Sequence, residues 1–410
     1  MRAELKTPSP EDGRPGIALL VPDMPSPKAL MPWLQRMHEA RHYSNFGPLV
    51  CELEKRLAAR FVGHGRGRPA VTTVSSATTG LELVLQALDL PPGSRVLVPA
   101  LTFVATATAV LRAGHVPVLC DVDADSWLLT PEIARRACAD VEVRAVMPVA
   151  AFGAPHDARA WDAFSRATGL PVVIDAAAAF GGQWLHDTAL TLVFSLHTTK
   201  SLPAGEGGLV VSHDDALVAR VRQLSNFGIN LQARRKVPVG ALAEAGTNAK
   251  MSEFHAAVGL ASLERWDERA ALRRDTFARY AGVLEAAAPG RLRWQRLAGG
   301  EPVAAPVGMC LRLPGATARS RFEKLCHDDG VGTRRWYQPL LTQMTALQPL
   351  CEAMDCPQAQ AIAQDLVGVP FFLGLSPADQ DRVAALLSAA LVDRRHAPRP
   401  EVRHGSALVS

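Results

Sequence analysis

The sequence predicts an α/β protein: a large domain on a mostly parallel sheet covered by helices, followed by a smaller C-terminal α+β domain. Three observations predict it. Short runs such as "VPVLCDVD" (116–123), "VRAVMPVA" (143–150) and "LPVVIDAA" (170–177) are apolar throughout, as strands buried on both faces are. They alternate with stretches of helical spacing, the pattern of parallel strands joined by crossovers. Beyond "MSEFHAAVGLASLERWDERAALRRDTFARYAGVLEAA" (251–287), the longest helical pattern, the chain changes character.

Taken in order, residues 1–30 are rich in proline and lack periodicity, which predicts an extended arm. "GPLVCELEKRLAARF" (47–61) has helical spacing, with Pro48 in the first turn. "AVTTV" (70–74) reads as a strand, "TGLELVLQALDL" (79–90) as a helix, "SRVLVPA" (94–100) as a strand and "ATATAVLRAG" (105–114) as a helix ended by glycine. The large domain is placed at 31–269 and the small one at 270–395. The latter contains helix-like "RSRFEKLCHDDG" and the helix start Ser-Pro-x-Asp of "SPADQDRVAALLSAALVD" (376–393); a flexible tail, 396–410, completes the chain.

Composition excludes several classes of function. The 410 residues carry a net charge of +4, with 48% hydrophobic and 20% charged residues, ordinary values for a soluble globular protein. No Lys/Arg block is interleaved with aromatics, so nucleic acid is not an expected partner. No apolar run approaches the roughly 20 residues of a membrane span. The seven cysteines are scattered without a C-x-x-C pair. That argues against a metal site or a disulfide framework, and for a reducing compartment. With no apolar stretch behind the first charges, a signal peptide is not expected, and the chain reads as cytoplasmic.

In open α/β sheets ligands gather at the carboxyl ends of the strands. Asp175 closes "PVVI", Ser195 and Lys200 follow "TLVF", and "SSATTG" (75–80) joins a strand to a helix. Lysine is scarce here: of 44 basic residues seven are lysines, at 6, 28, 55, 200, 236, 250 and 324. A desolvated lysine amine is nucleophilic and suited to Schiff-base chemistry, although most lysines are surface residues. A carboxylate after four apolar residues needs a partner, and a pyridinium nitrogen is one such partner. Hydroxyls before a helix start offer a phosphate seat or a plain cap. Phe103 is placed to stack on a planar ring or to join the core.

The order of these motifs resembles the DegT/DnrJ/StrS-type sugar-nucleotide aminotransferases, which use pyridoxal 5′-phosphate (PLP). "SNFGPLVCELE" (44–54), "ATTGL" (77–81), "VLVPALTFVATATAVLRAGHVPVLCDVD", the Asp-Ala-Ala at 175–177, "FSLHTTK" (194–200) with "GEGG", "NFG" (226–228), "GTNAKMSEFHAAV" (246–258) and "TRRWYQPL" (333–340) carry the likeness. The resemblance implies the fold-type I architecture and a homodimer with active sites at the interface. It implies that Lys200 forms the imine with PLP and shuttles the proton. Asp175 keeps the pyridine nitrogen protonated, and Phe103 stacks on the ring. Ala77, Thr78, Thr79 and Ser195 hold the phosphate, with Asn248 arriving from the partner subunit. Asn45, Phe46, His197, Lys250, Arg334, Trp336 and Tyr337 are the implied substrate-side residues.

The expected activity is transfer of an amino group, with PMP as intermediate, from L-glutamate to a small-molecule ketone, foremost a nucleotide-linked keto-deoxy sugar. A PLP enzyme of another reaction type, acting on an amino-acid-like substrate, is one alternative, and a non-catalytic regulatory protein on the same fold is another. The chain departs from the family pattern at Ala178, where Gln is usual, and at Ala150, where His is usual. Ser76 stands for an Asn, and Asn248-Ala249-Lys250 for Asn-Tyr-Arg.

Overall fold

A computed structural model describes residues 15–65, 67–232, 237–297 and 303–392. The first 14 residues of the expected arm and the expected tail at 396–410 lie outside the described residues. The chain runs α1 (Pro27–Ala40), α2 (Pro48–Arg60), β1 (Ala70–Val74), α3 (Ala77–Ala87), β2 (Arg95–Pro99), α4 (Val104–Arg112), β3 (Val116–Cys120) and α5 (Pro131–Asp140). Then come β4 (Ala145–Val146), α6 (Ala158–Thr168), β5 (Val173–Asp175), β6 (Thr191–Ser195), β7 (Gly208–Ser212), α7 (Asp215–Ser225), α8 (Glu253–Leu263) and α9 (Trp266–Ala287). The remainder is β8 (Met309–Arg312), α10 (Ala316–Asp328), β9 (Glu352–Ala353), α11 (Pro357–Asp365), β10 (Leu366–Val369) and α12 (Pro377–Leu391).

The sheet has two halves, β1-β7-β6-β5 and β4-β2-β3-β9. Parallel bridges Val146–Val172 and Val149–Asp175 join them. Every pairing is parallel except those of β7, which runs antiparallel to both β1 and β6. That reversal matters for the site. Because β7 runs backwards, its first residue, Gly208, lies opposite Val74 and Ser195 at the carboxyl edge of their strands.

The expected strand 143–150 is interrupted: β4 is two residues long and pairing resumes at Val149. Pro148 between them has no N–H, and its carbonyl instead accepts from Asp175 N at 2.9 Å. The single helix expected at 251–287 is two, α8 and α9, broken at Glu264–Arg265. The break turns Trp266 into the large core, where its ring meets Phe180 edge-on with centroids 4.9 Å apart. Within 1–30, Ile17 forms a parallel bridge with Val331, and α1 starts at Pro27 behind the Ser26 cap.

Buried apolar residues form two large clusters on the two faces of the sheet. A third gathers α9, β8, β10, α10 and α12 around Tyr280, Leu311, Phe322, Val367 and Leu387. The segment 340–366 contributes to the large unit. β9 pairs with β3, and Leu340, Leu341, Leu347, Ile362 and Leu366 pack in the second cluster.

The Asn-Phe-Gly-Pro turn has a physical cause. The fully buried Glu253 carboxylate accepts from Leu49 N and Val50 N, both at 2.8 Å, and so caps α2 from a distant part of the chain. A Cβ on Gly47 would stand 2.7 Å from the Glu253 carboxyl carbon, so only glycine admits the cap. Glu253→Ala leaves both amides buried without an acceptor. Its urea-unfolding midpoint is expected to fall by the equivalent of about 3 kcal/mol, and that of Glu253→Gln by less.

Candidate active site

Each functional side chain stands where a strand ends. Asp175 is the last residue of β5, and its neighbour across the parallel ladder is Val193 of β6, two residues before Ser195. The Asp175 carboxylate is 4% exposed. Its Oδ2 accepts from Thr106 Oγ1 at 2.8 Å and its Oδ1 from Ala177 N at 3.1 Å. Burial pushes its pKa up. The Thr106 and Ala177 hydrogen bonds and the Lys200 charge oppose the shift.

Lys200 lies in the turn after β6, its N–H bonded to His197 O at 2.9 Å. Its side chain is half-buried. Desolvation pulls the amine's pKa below its ordinary value, with the Asp175 charge acting against that shift. An amine whose pKa is lowered is available as a nucleophile and a base at lower pH than a solvated lysine.

The third part is the N-terminus of α3. Ser76 caps it, its Oγ accepting from Thr79 N at 3.1 Å. The Thr79 hydroxyl is shared with Ser75 at 3.1 Å and Ser76 at 2.5 Å. The amides of Ala77 and Thr78 are first-turn donors with no carbonyl behind them in the helix. Ser195 Oγ faces the same edge and accepts from His197 N at 3.3 Å. Gly208 makes the meeting possible: a Cβ there would stand 2.6 Å from the Ser76 carbonyl.

Phe103 precedes α4 and is 51% exposed, so its face is open to a ligand. Its ring lies 6.3 Å from Tyr337, which in turn stacks on Phe152 at 5.2 Å and 18°. Arg334 lies over Trp336 at 4.1 Å. A Cβ on Gly368 would meet that indole at 2.7 Å. The other expected substrate-side residues sit elsewhere around this edge or form local contacts. His197 contacts Thr199 Oγ1 at 2.9 Å and Glu206 at 3.6 Å. Asn248 is exposed and accepts from Lys250 Nζ at 2.6 Å, and that ammonium lies 4.5 Å from the centre of the Phe227 ring. Between them the Ala249 carbonyl accepts from Ser75 N of the same chain at 2.7 Å. Asn45 and Phe46 both have positive φ in the turn before α2, and Phe46 lies under Arg222 at 3.8 Å.

A lysine, a buried carboxylate and an anion seat, converging on one edge beside an open aromatic ring, define a site for a phosphorylated, planar, nitrogen-bearing group. The sequence profile of the DegT/DnrJ/EryC1/StrS aminotransferase family matches residues 28–388. The chain belongs to this family. It is a PLP-dependent aminotransferase. Solved structures agree along nearly the whole chain. DesI in the presence of its TDP-sugar product is 29% identical, with a TM-score of 0.79 over 95% of this chain and 96% of that one. A putative PLP-dependent aminotransferase from Bacillus cereus is 25% identical, with a TM-score of 0.81 over 91% and 100%. 3-Amino-5-hydroxybenzoic acid synthase is 27% identical, with a TM-score of 0.75 over 90% and 99%.

PLP fits the residues present. Because Gly208 lies against Ser76, the first-turn amides of α3 and the Ser195 hydroxyl face one point suited to a phosphate, and the carboxylate buried on β5 lacks a full counter-charge that a pyridinium would supply. Two parts of this aminotransferase site are not visible as motifs. Thr106 is one; its signal is its position one helical turn after Thr102 and Phe103 in "TFVATAT". Gly208 is the other, hidden among the glycines of "GEGG". Gly208→Ala is expected to weaken PLP retention at least about tenfold, measured by absorbance titration, by pushing the Ser76–Thr79 turn out of place.

Proposed function

We propose that this aminotransferase moves the amino group of L-glutamate to the keto carbon of a nucleotide-linked deoxy sugar. The reading of the acceptor is carried by the likeness to DesI, whose structure holds a TDP-sugar product, across 95% of the chain. PLP supplies an electron sink that stabilises negative charge at the carbon bearing the amine. Lys200 is the residue that would hold the cofactor through its amine, and the same amine would move the proton at the substrate carbon, as a base and then an acid. Arginine in its place stays charged and does neither. Asp175 would hold the ring nitrogen in its charged form. Ala77, Thr78, Thr79 and Ser195 would hold the phosphate, and Phe103 would lie against the ring. Arg334, Trp336 and Tyr337 line the acceptor side with one cation and two aromatic faces, suited to a phosphorylated sugar bearing a base.

The proposal includes a homodimer whose sites are completed by Asn248 of the second copy. Exposed Phe227, Leu242 and Phe254 lie on the segments that flank Asn248 and Lys250, and exposed Tyr43 stacks on Phe254 at 6.2 Å, an apolar surface of the kind a second copy covers. The seven cysteines are all free, in keeping with the cytoplasm as working compartment, and no described helix is long and apolar enough to cross a membrane.

Two measurements test this reading. L-Glutamate is expected to shift the visible band of the protein-bound cofactor toward the ultraviolet. Lys200→Ala abolishes that shift and lowers turnover by about a thousandfold or more. A band indifferent to glutamate would remove glutamate as donor. For the shared site, equal amounts of inactive Lys200→Ala and Asn248→Ala proteins, mixed and allowed to exchange subunits, are expected to regain about a quarter of native activity. Half of the dimers are then mixed, and one of their two sites is intact. No regain would place Asn248 in its own subunit's site.

A further inference from the structure

Asp175 is held from two sides, and the hold at Oδ2 comes from a residue with no assigned role. Thr106 is fully buried in the first turn of α4. Its Oγ1 lies 2.8 Å from Asp175 Oδ2 and 3.1 Å from Thr102 Oγ1, and Thr102 is 1% exposed. A hydroxyl carries one proton, and a carboxylate can only accept. The Thr106 proton therefore goes to Asp175, and the Thr102 proton goes to Thr106. The direction of the chain Thr102→Thr106→Asp175 is fixed by chemistry. The same turn carries Phe103, whose carbonyl accepts from Thr106 N at 3.2 Å. One turn of helix thus holds both the ring-facing aromatic and the donor to the carboxylate.

We infer that Thr106 is a positioning residue: its hydroxyl, aligned by Thr102, fixes the Asp175 carboxylate in the orientation and charge state that receive the cofactor's ring nitrogen. The inference rests on the assignment of Asp175 to that nitrogen. Among the influences that offset the burial of Asp175, the Thr106 hydrogen bond is the largest, ahead of the Ala177 amide and Lys200. Among the described residues, the titratable groups whose charges act with that of Asp175 are Lys200, from the turn after β6, and Tyr337, from the segment before 340. Neither donates a hydrogen bond to Oδ2, so neither replaces Thr106 there.

Thr106→Val removes the hydroxyl while keeping the branched shape. In the PLP-loaded protein, two quantities report on the carboxylate without requiring turnover: the PLP dissociation constant and the pH profile of the visible band. Without its donor the carboxylate takes up a proton at higher pH, so the acid limb of the profile is expected to move up by about one unit. PLP binding is expected to weaken about tenfold. Thr106→Ser restores both, and Thr102→Val moves both in the same direction by less. Asp175→Asn serves as reference. If Asp175→Asn alters both quantities and Thr106→Val alters neither, the inference is overturned while the Asp175 assignment stands. If neither substitution has an effect, the assignment falls and the inference with it. Failure of Thr106→Ser to restore what Thr106→Val loses would show a packing role and overturn the inference. Should Thr106→Val not fold, Thr102→Val decides: an unmoved acid limb overturns the inference.

Discussion

A carboxylate buried at the end of a strand is the constraint around which this molecule is arranged. Asp175, 4% exposed, sits where burial penalises its charge, and each element near it contributes to offsetting that penalty. β5 ends with the residue pinned by two main-chain bonds, its N–H to Pro148 O and its C=O from Ala150 N, each 2.9 Å. α4 presents a hydroxyl, the following turn presents an amide, and β6 leads to a lysine. On the proposed assignment of Asp175 to the cofactor's ring nitrogen, a protonated nitrogen would offset the remaining deficit, and binding energy and catalytic charge would be one interaction.

The antiparallel course of β7 is the second organising fact. In a wholly parallel sheet, the chain between β6 and the next strand would cross to the far edge. Here it turns back within twelve residues, from Ser195 to Gly208, and that tight return contains Lys200. The lysine is therefore fixed at the carboxyl edge by its own hairpin and not by a long loop. The glycine at the return lets the hairpin lie against the α3 N-terminus, so the amine and the phosphate seat keep a constant spacing.

Most of the sheet is legible in the sequence because its strands are buried on both faces. "AVTTV" corresponds residue for residue to β1, and Asp175 stands at a strand end as its setting in "PVVIDAA" suggests. What is not legible depends on contacts between distant segments. Glu253 reads as an ordinary first-turn acid of α8, yet it caps α2, some 200 residues earlier. The break between α8 and α9, at Glu264–Arg265, carries no proline or glycine, and the residue after it, Trp266, packs on distant Phe180. Thr106 is one of many threonines until the fold brings it to Asp175. Ala178 and Ala150, the departures from the family pattern, lie in the same neighbourhood: Ala150 N binds the Asp175 carbonyl, and the Gly153 backbone passes close to Ala178 O. Small residues there leave room for this close main-chain packing.

The N-terminal arm has a mechanical consequence. Ile17 is laddered to Val331 in the small unit, and Asp23 is clamped by Arg265 and Arg269 at the junction of α8 and α9. Five residues lie between the two fastenings, and such a length of chain spans about 20 Å at most. Between them Leu19 O accepts from Phe371 N at 2.9 Å, so the arm is a short strap joining the small unit to the α8–α9 junction. One of its fastenings, at Val331, lies three residues before Arg334, so the strap bears directly on the segment that carries Arg334, Trp336 and Tyr337.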